Sequence, residues 1–176
     1  MRRLRAPLAA ALLAALAVAA PAGAAPTQTQ QFFTQKLLAD KGTSREVRDL
    51  LRSRAGFVDR SVKFADLTGD GKSDAVVRVQ SGGVTGAVAV YVFSTDTGVK
   101  NGGLAVVFRS QELRRAETRI RDGVLRYRSA RPAPGDEPCC PAAVAESRLR
   151  WRKVKHVFVV AERRQIAPSE PWGDQL

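Results

Sequence analysis

One histidine, one methionine and two cysteines are all that the 176 residues offer of imidazole and sulfur side chains. A hydrolase triad needs an imidazole beside its nucleophile. His156, the sole candidate, lies between Lys155 and Val157 and reads as a turn histidine. Two cysteines with one histidine fall short of a four-ligand zinc site. Missing too are G-x-S-x-G, H-E-x-x-H, a phosphate-binding glycine loop and a dinucleotide fingerprint; "SGGVTG" at Ser81 to Gly86 reads as a turn between strands. Aromatic residues make up only 6% of the chain, and no compact basic run stands out, so no specific nucleic-acid partner is expected. The absence of any repeat of about 20–50 residues argues against a propeller or solenoid. Together these gaps predict a protein that is not an enzyme.

What is present begins with a leader. "MRRLRAPLAAALLAALAVAAPAGAAPTQ" carries Arg2, Arg3 and Arg5, an Ala/Leu core, then small residues. Pro21 breaks the core and Ala22-Gly23-Ala24 satisfies the small-x-small rule, which predicts cleavage of a secretory signal over residues 1–24. The core from Ala6 to Ala20 is short for a bilayer span, and no later segment is long or apolar enough. The expectation is therefore a secreted or extracytoplasmic monomer of the bacterial envelope, with no transmembrane anchor after cleavage. A linker at 25–30, one domain at 31–165 and a flexible tail at 166–176 complete the expected layout.

The formal charge of +12 drops to +9 without the leader and remains strongly basic. Such an excess attracts polyanions, for example an anionic cell-envelope polymer, and also serves as a plain solubilising surface. Another envelope protein is the second partner class to expect.

Periodicity then divides the chain. "TQQFFTQKLLADKG" sets Phe33, Leu37 and Leu38 at helical spacing and stops at Gly42. Thr43 and Glu46 have capping-box spacing ahead of a second helix striped by Val47, Leu50 and Leu51 and ending near Gly56. From Phe57 the period is two: "FVDRSVKFADL", "DAVVRV", "GAVAVYVFS" and "LAVVFRS" read as strands. "ETRIRDGVLRYRS" sets Thr118 and Ile120 against Leu125 and Tyr127 across Asp122-Gly123, a tight hairpin turn. Arg119, Arg121, Arg126 and Arg128 face the other way, as do Arg148, Arg150 and Arg152 in the last hairpin, "SRLRWRKVKHVFVVAER". These patterns predict an α+β fold, with N-terminal helices packed on an antiparallel, mostly hairpin-connected β-sheet that is wet on one side. If the two arginine hairpins lie side by side, their seven arginines form one contact surface.

Two short segments carry candidate chemistry. In "DLTGDGKSDAVV", Asp66, Thr68 and Asp70 occupy alternate positions, Gly71 permits a sharp turn, the carbonyl of Lys72 is next in line and Asp74 closes the set. Calcium takes hard oxygen ligands presented in this way, with affinity of order 10⁻⁴ to 10⁻³ M in extracellular modules. The order resembles the first nine positions of an EF-hand loop, but Val77 stands where that motif has its glutamate. With strands on both sides, the segment resembles the calcium hairpins of FG-GAP repeats. A metal-free Asp/Gly turn is the alternative. In "GDEPCCPAA", Cys139 and Cys140 are adjacent, a pair that outside the cytoplasm is expected to be oxidised. It makes either a redox-sensitive, ligand-contacting knuckle or a rigid loop lock. Asp136 and Glu137 beside it are the one place for an unrecognised enzyme site.

The N-terminal helical part, the strand-flanked Asp loop and the "GDEPCCP" segment before an Arg/Trp hairpin resemble the LppP/LprE-type envelope proteins of actinobacteria over about residues 57–163. The lipobox cysteine of those lipoproteins is missing, so no lipid anchor carries over. The resemblance implies a small extracytoplasmic domain and adds no catalytic residues.

Overall fold

The computed structural model describes residues 25–100, 102–137, 140–170 and 172. The expected signal segment, Asn101, Pro138, Cys139, Pro171 and residues 173–176 lie outside that set. Among the described residues two helices precede nine strands: α1 (Gln28–Ala39), α2 (Arg45–Ser53), β1 (Phe57–Val58), β2 (Lys63–Ala65), β3 (Asp74–Gln80), β4 (Ala87–Ser94), β5 (Ala105–Ser110), β6 (Glu117–Arg121), β7 (Val124–Arg131), β8 (Ala143–Arg152) and β9 (Val157–Ile166). The fold is α+β, and every strand pairing is antiparallel.

The first helix starts earlier than its apolar stripe suggests, inside the stretch read as a linker. Thr27 caps it in a reciprocal capping box with Gln30, and the Gln30 side chain, 5% exposed, donates from Nε2 to the carbonyl of Val58 at 2.6 Å. For the second helix the cap is Ser44, whose hydroxyl accepts from Val47 N–H, and not Thr43. Thr43 is buried and donates instead to Asp40 Oδ2, which leaves its neighbour to cap. That helix ends at Ser53 with Arg54 left-handed at φ 60°, and the Gly56 N–H returns to the Leu50 carbonyl.

Two sheets are present where one was expected. The first pairs β1 and β2 along one edge of β3, followed by β4 and β5; the second has the order β6-β7-β8-β9. Side chains on β3 and β4 alternate between two cores. Ala75, Val77, Val79, Ala89, Tyr91 and Phe93 pack with Phe33, Leu37, Val47 and Leu51 of the helices. Val76, Val90 and Val92 pack with Leu125, Tyr127, Leu149 and Phe158 of the second sheet. The order is helices, first sheet, second sheet. Near-continuous apolar runs on β3 and β4 are the mark of strands covered on both faces, whereas the Arg/apolar alternation on β6 to β8 is that of strands covered on one.

"FVDRSVKFADL" is broken into β1 and β2 because Asp59 turns inward. Its carboxylate accepts from Ser61 N–H, from Gln80 and from Arg78, the last at 2.6 Å. Asp122 and Gly123, both at positive φ (50° and 69°), form the two-residue turn between β6 and β7 in the expected register, with Ile120 opposite Leu125 and Thr118 opposite Tyr127.

Candidate functional site

The acidic loop joins β2 to β3, with Ala65 paired to Asp74 at its base. Its carboxylates fold the loop. Asp66 Oδ1 accepts from the N–H groups of Gly69 and Asp70 at 2.7 and 3.2 Å, and Oδ2 accepts from Gly71 N–H at 2.9 Å. Asp70 Oδ1 accepts from Lys72 N–H, and Asp74 Oδ2, 1% exposed as a residue, accepts from Leu67 and Thr68 N–H at 2.8 and 2.9 Å. Gly69 and Gly71 supply the left-handed turns, at φ 76° and 82°. Among the described residues no group of three His, Cys, Asp or Glu side chains is gathered as a metal site. The one buried oxygen of the loop with no partner is Thr68 Oγ1. The carboxylates thus satisfy backbone donors and fix the turn from within, and each keeps further lone pairs.

Cys140 is disulfide-bonded; the neighbouring Cys139 lies outside the described residues. The loop around it is stapled by Asp136, whose Oδ2 accepts from Ala133 and Ala142 N–H, both at 2.8 Å. Those two N–H groups hold the exposed carboxyl below its ordinary range. His156 is in the turn between β8 and β9, in left-handed backbone, with Nδ1 2.7 Å from Asp96 Oδ1. Asp136 precedes the ten-residue β8 and His156 follows it, so about 30 Å of extended strand separates them.

The arginines are brought together as the alternation predicted. The pairing of β7 with β8 sets the two hairpins side by side, and β6, β7 and β8 present one face to solvent. Cross-strand rows on that face differ in kind. In one row Glu117, Arg128, Glu146 and Arg164 stand opposite one another in alternating sign. In the next, Arg119, Arg126 and Arg148 are directly opposite one another, with Glu162 at the β9 end of the row. Arg148, Arg150 and Arg152 are exposed, as is Arg121 beside Asp122 at 3.6 Å.

Arg128 departs from the expectation of a contact residue. It is 7% exposed, and its guanidinium donates to Glu146 Oε2 at 2.7 Å. Glu146, only 3% exposed, also accepts from Arg164 at 2.9 Å and from Arg126 at 3.4 Å. Burial pushes its carboxyl up, but the bonds from Arg164 and Arg128 outweigh this and hold it below the ordinary glutamate range. The segment after β9 completes the cover. The Glu170 carbonyl accepts from Arg128 at 2.7 Å, its carboxylate lies 3.2 Å from Arg164, and the Trp172 ring stacks 4.2 Å from the Arg128 guanidinium carbon. The stretch read as a flexible tail is therefore seated on the sheet at these two residues. Glu146 was detectable in principle, as the single acid on the outward face of an otherwise arginine-bearing strand.

No helix among the described residues is long and apolar enough to cross a membrane. No family model, curated protein or solved structure matches the chain.

Proposed function

We propose that the protein is a secreted, non-catalytic binding module of the cell envelope, and that the outer face of the second sheet holds an anionic envelope polymer. The observation that carries this reading is the exposed series Arg148, Arg150 and Arg152 along the outward face of β8, with Arg126 and Arg119 on the same face of the neighbouring strands. Neighbouring strands are about 4.8 Å apart, and like charges directly opposite one another destabilise a sheet. A polyanion laid across the face offsets that repulsion by placing its charges among the guanidiniums, with counterion release adding to the affinity. The adjacent row, neutralised by Glu146, forms the floor on which the others stand. The resemblance to LppP/LprE-type envelope proteins points the same way.

Salt-dependent retention on a heparin column tests it. Arg148→Glu with Arg150→Glu is expected to elute at markedly lower salt than the unchanged protein. Arg45→Glu with Arg52→Glu on α2 changes the net charge equally, on the far side of the first sheet, and is expected to shift elution far less. Equal shifts for the two pairs mean that net charge alone, and no particular face, attracts the polymer.

A further inference from the structure

A cleft of about 880 Å³ opens between α1, the end of α2 and β1, on the opposite side of the first sheet from the arginine face. Its volume is that of a small-molecule site. Gln31, Thr34 and Gln35 line it from one side of α1, with Arg54, Phe57 and Arg60 across from them, and no carboxylate is among its lining residues. The Phe57 ring is large and apolar yet 48% exposed.

We infer that this cleft binds an acidic sugar residue, carrying a carboxylate or phosphate, within a short oligosaccharide. Three features specify that chemistry. With no carboxylate among the lining residues, Arg54 favours an anion, and its planar guanidinium fork matches a carboxylate or phosphate. Arg54 is set in place by its left-handed backbone at the end of α2 and makes no ion pair among the described residues. A half-exposed aromatic ring offers a flat apolar face for the C–H side of a pyranose, the amphipathic contact that a simple ion does not make. The amides and hydroxyl suit a polyol, which presents donors and acceptors together. Gln31 Nε2 donates to the Pro26 carbonyl, leaving its Oε1 to accept, and Thr34 Oγ1 donates to the Gln30 carbonyl, leaving its lone pairs. The Gln35 amide makes no hydrogen bond among the described residues. Gln31 and Gln35 lie one turn apart, about 6 Å along the axis, a spacing that a single pyranose ring spans.

The site is independent of the arginine face, and the test separates them. Titration calorimetry at physiological ionic strength, where exposed charges are screened beyond about 8 Å, is run with trigalacturonate, maltotriose and a triglutamate peptide. Trigalacturonate is expected to bind, with maltotriose and triglutamate weaker by about tenfold or more. Arg54→Ala and Phe57→Ala, both on exposed side chains, are each expected to weaken it by about tenfold, with unchanged thermal unfolding showing that the fold is intact. Arg148→Glu with Arg150→Glu is expected to leave trigalacturonate binding in place. The inference is overturned if trigalacturonate fails to bind, if triglutamate or maltotriose binds equally well, or if binding survives the cleft variants and is lost with the sheet variant.

Discussion

Asp66, Asp70 and Asp74 are the same residue type within nine positions, and their surroundings give them different work. Asp66 accepts three N–H groups and shapes an exposed loop, while Asp70 accepts one. Asp74 is buried and holds Leu67 and Thr68 N–H at the point where the chain enters β3. Removing a buried acceptor leaves its donors unsatisfied, at about 1–3 kcal/mol each. Asp74→Ala is therefore expected to lower unfolding stability by about 2 kcal/mol in urea, and Asp70→Ala by no more than about 0.5 kcal/mol. Calcium added to the same experiment separates the two readings of the loop: the calcium hairpin is expected to raise the native midpoint and leave that of Asp70→Ala in place, whereas a midpoint raised in neither supports the metal-free turn.

At the level of an element, Glu146 adds a side-chain tie between β8 and its neighbours. Strands rich in outward arginine repel their neighbours, and one buried carboxylate bonded to Arg126, Arg128 and Arg164 ties three strands together at their middle. A buried charge left without its partner costs about 3–5 kcal/mol, and Glu146→Gln is expected to lose about 3 kcal/mol of stability. The sign with pH follows from the depressed folded pKa. The contribution is fully present above the ordinary glutamate pKa of about 4.3 and is lost as pH falls through the lower folded value. Asp59 acts in the same direction: burial raises its carboxyl, and the bonds from Ser61, Gln80 and Arg78 bring it below the usual range. Urea midpoints at pH 7 and pH 3 are expected to differ more for the native protein than for Glu146→Gln. An equal acid loss in both means that Glu146 carries none of it.

For the whole molecule, three layers put the two proposed contact regions on opposite sides, with the cleft against the helices and the arginines on the outer sheet. The segment beyond β9 covers part of the arginine side through Glu170 and Trp172. Ending the chain at Ala167 removes that cover and is expected to raise the salt concentration needed to elute from heparin. Elution at unchanged salt shows that the segment does not compete with a polyanion.

Much of this was legible locally. Period-two alternation put Arg119, Arg126 and Arg148 on one face, and Asp122-Gly123 set the hairpin register, because pleat and turn chemistry act within a few residues. Apolar spacing likewise marked both helices, though not their starts: Thr27 and Ser44 cap through contacts whose partners the pattern leaves open. What no window of sequence determined was the meeting of distant groups. That the strands divide into two stacked sheets, that Glu146 neutralises Arg128 and Arg164, and that Arg54, Phe57 and the α1 glutamines enclose a cleft are consequences of packing. A side chain's face is set by its own backbone, but its partners are set by which surfaces must be buried together.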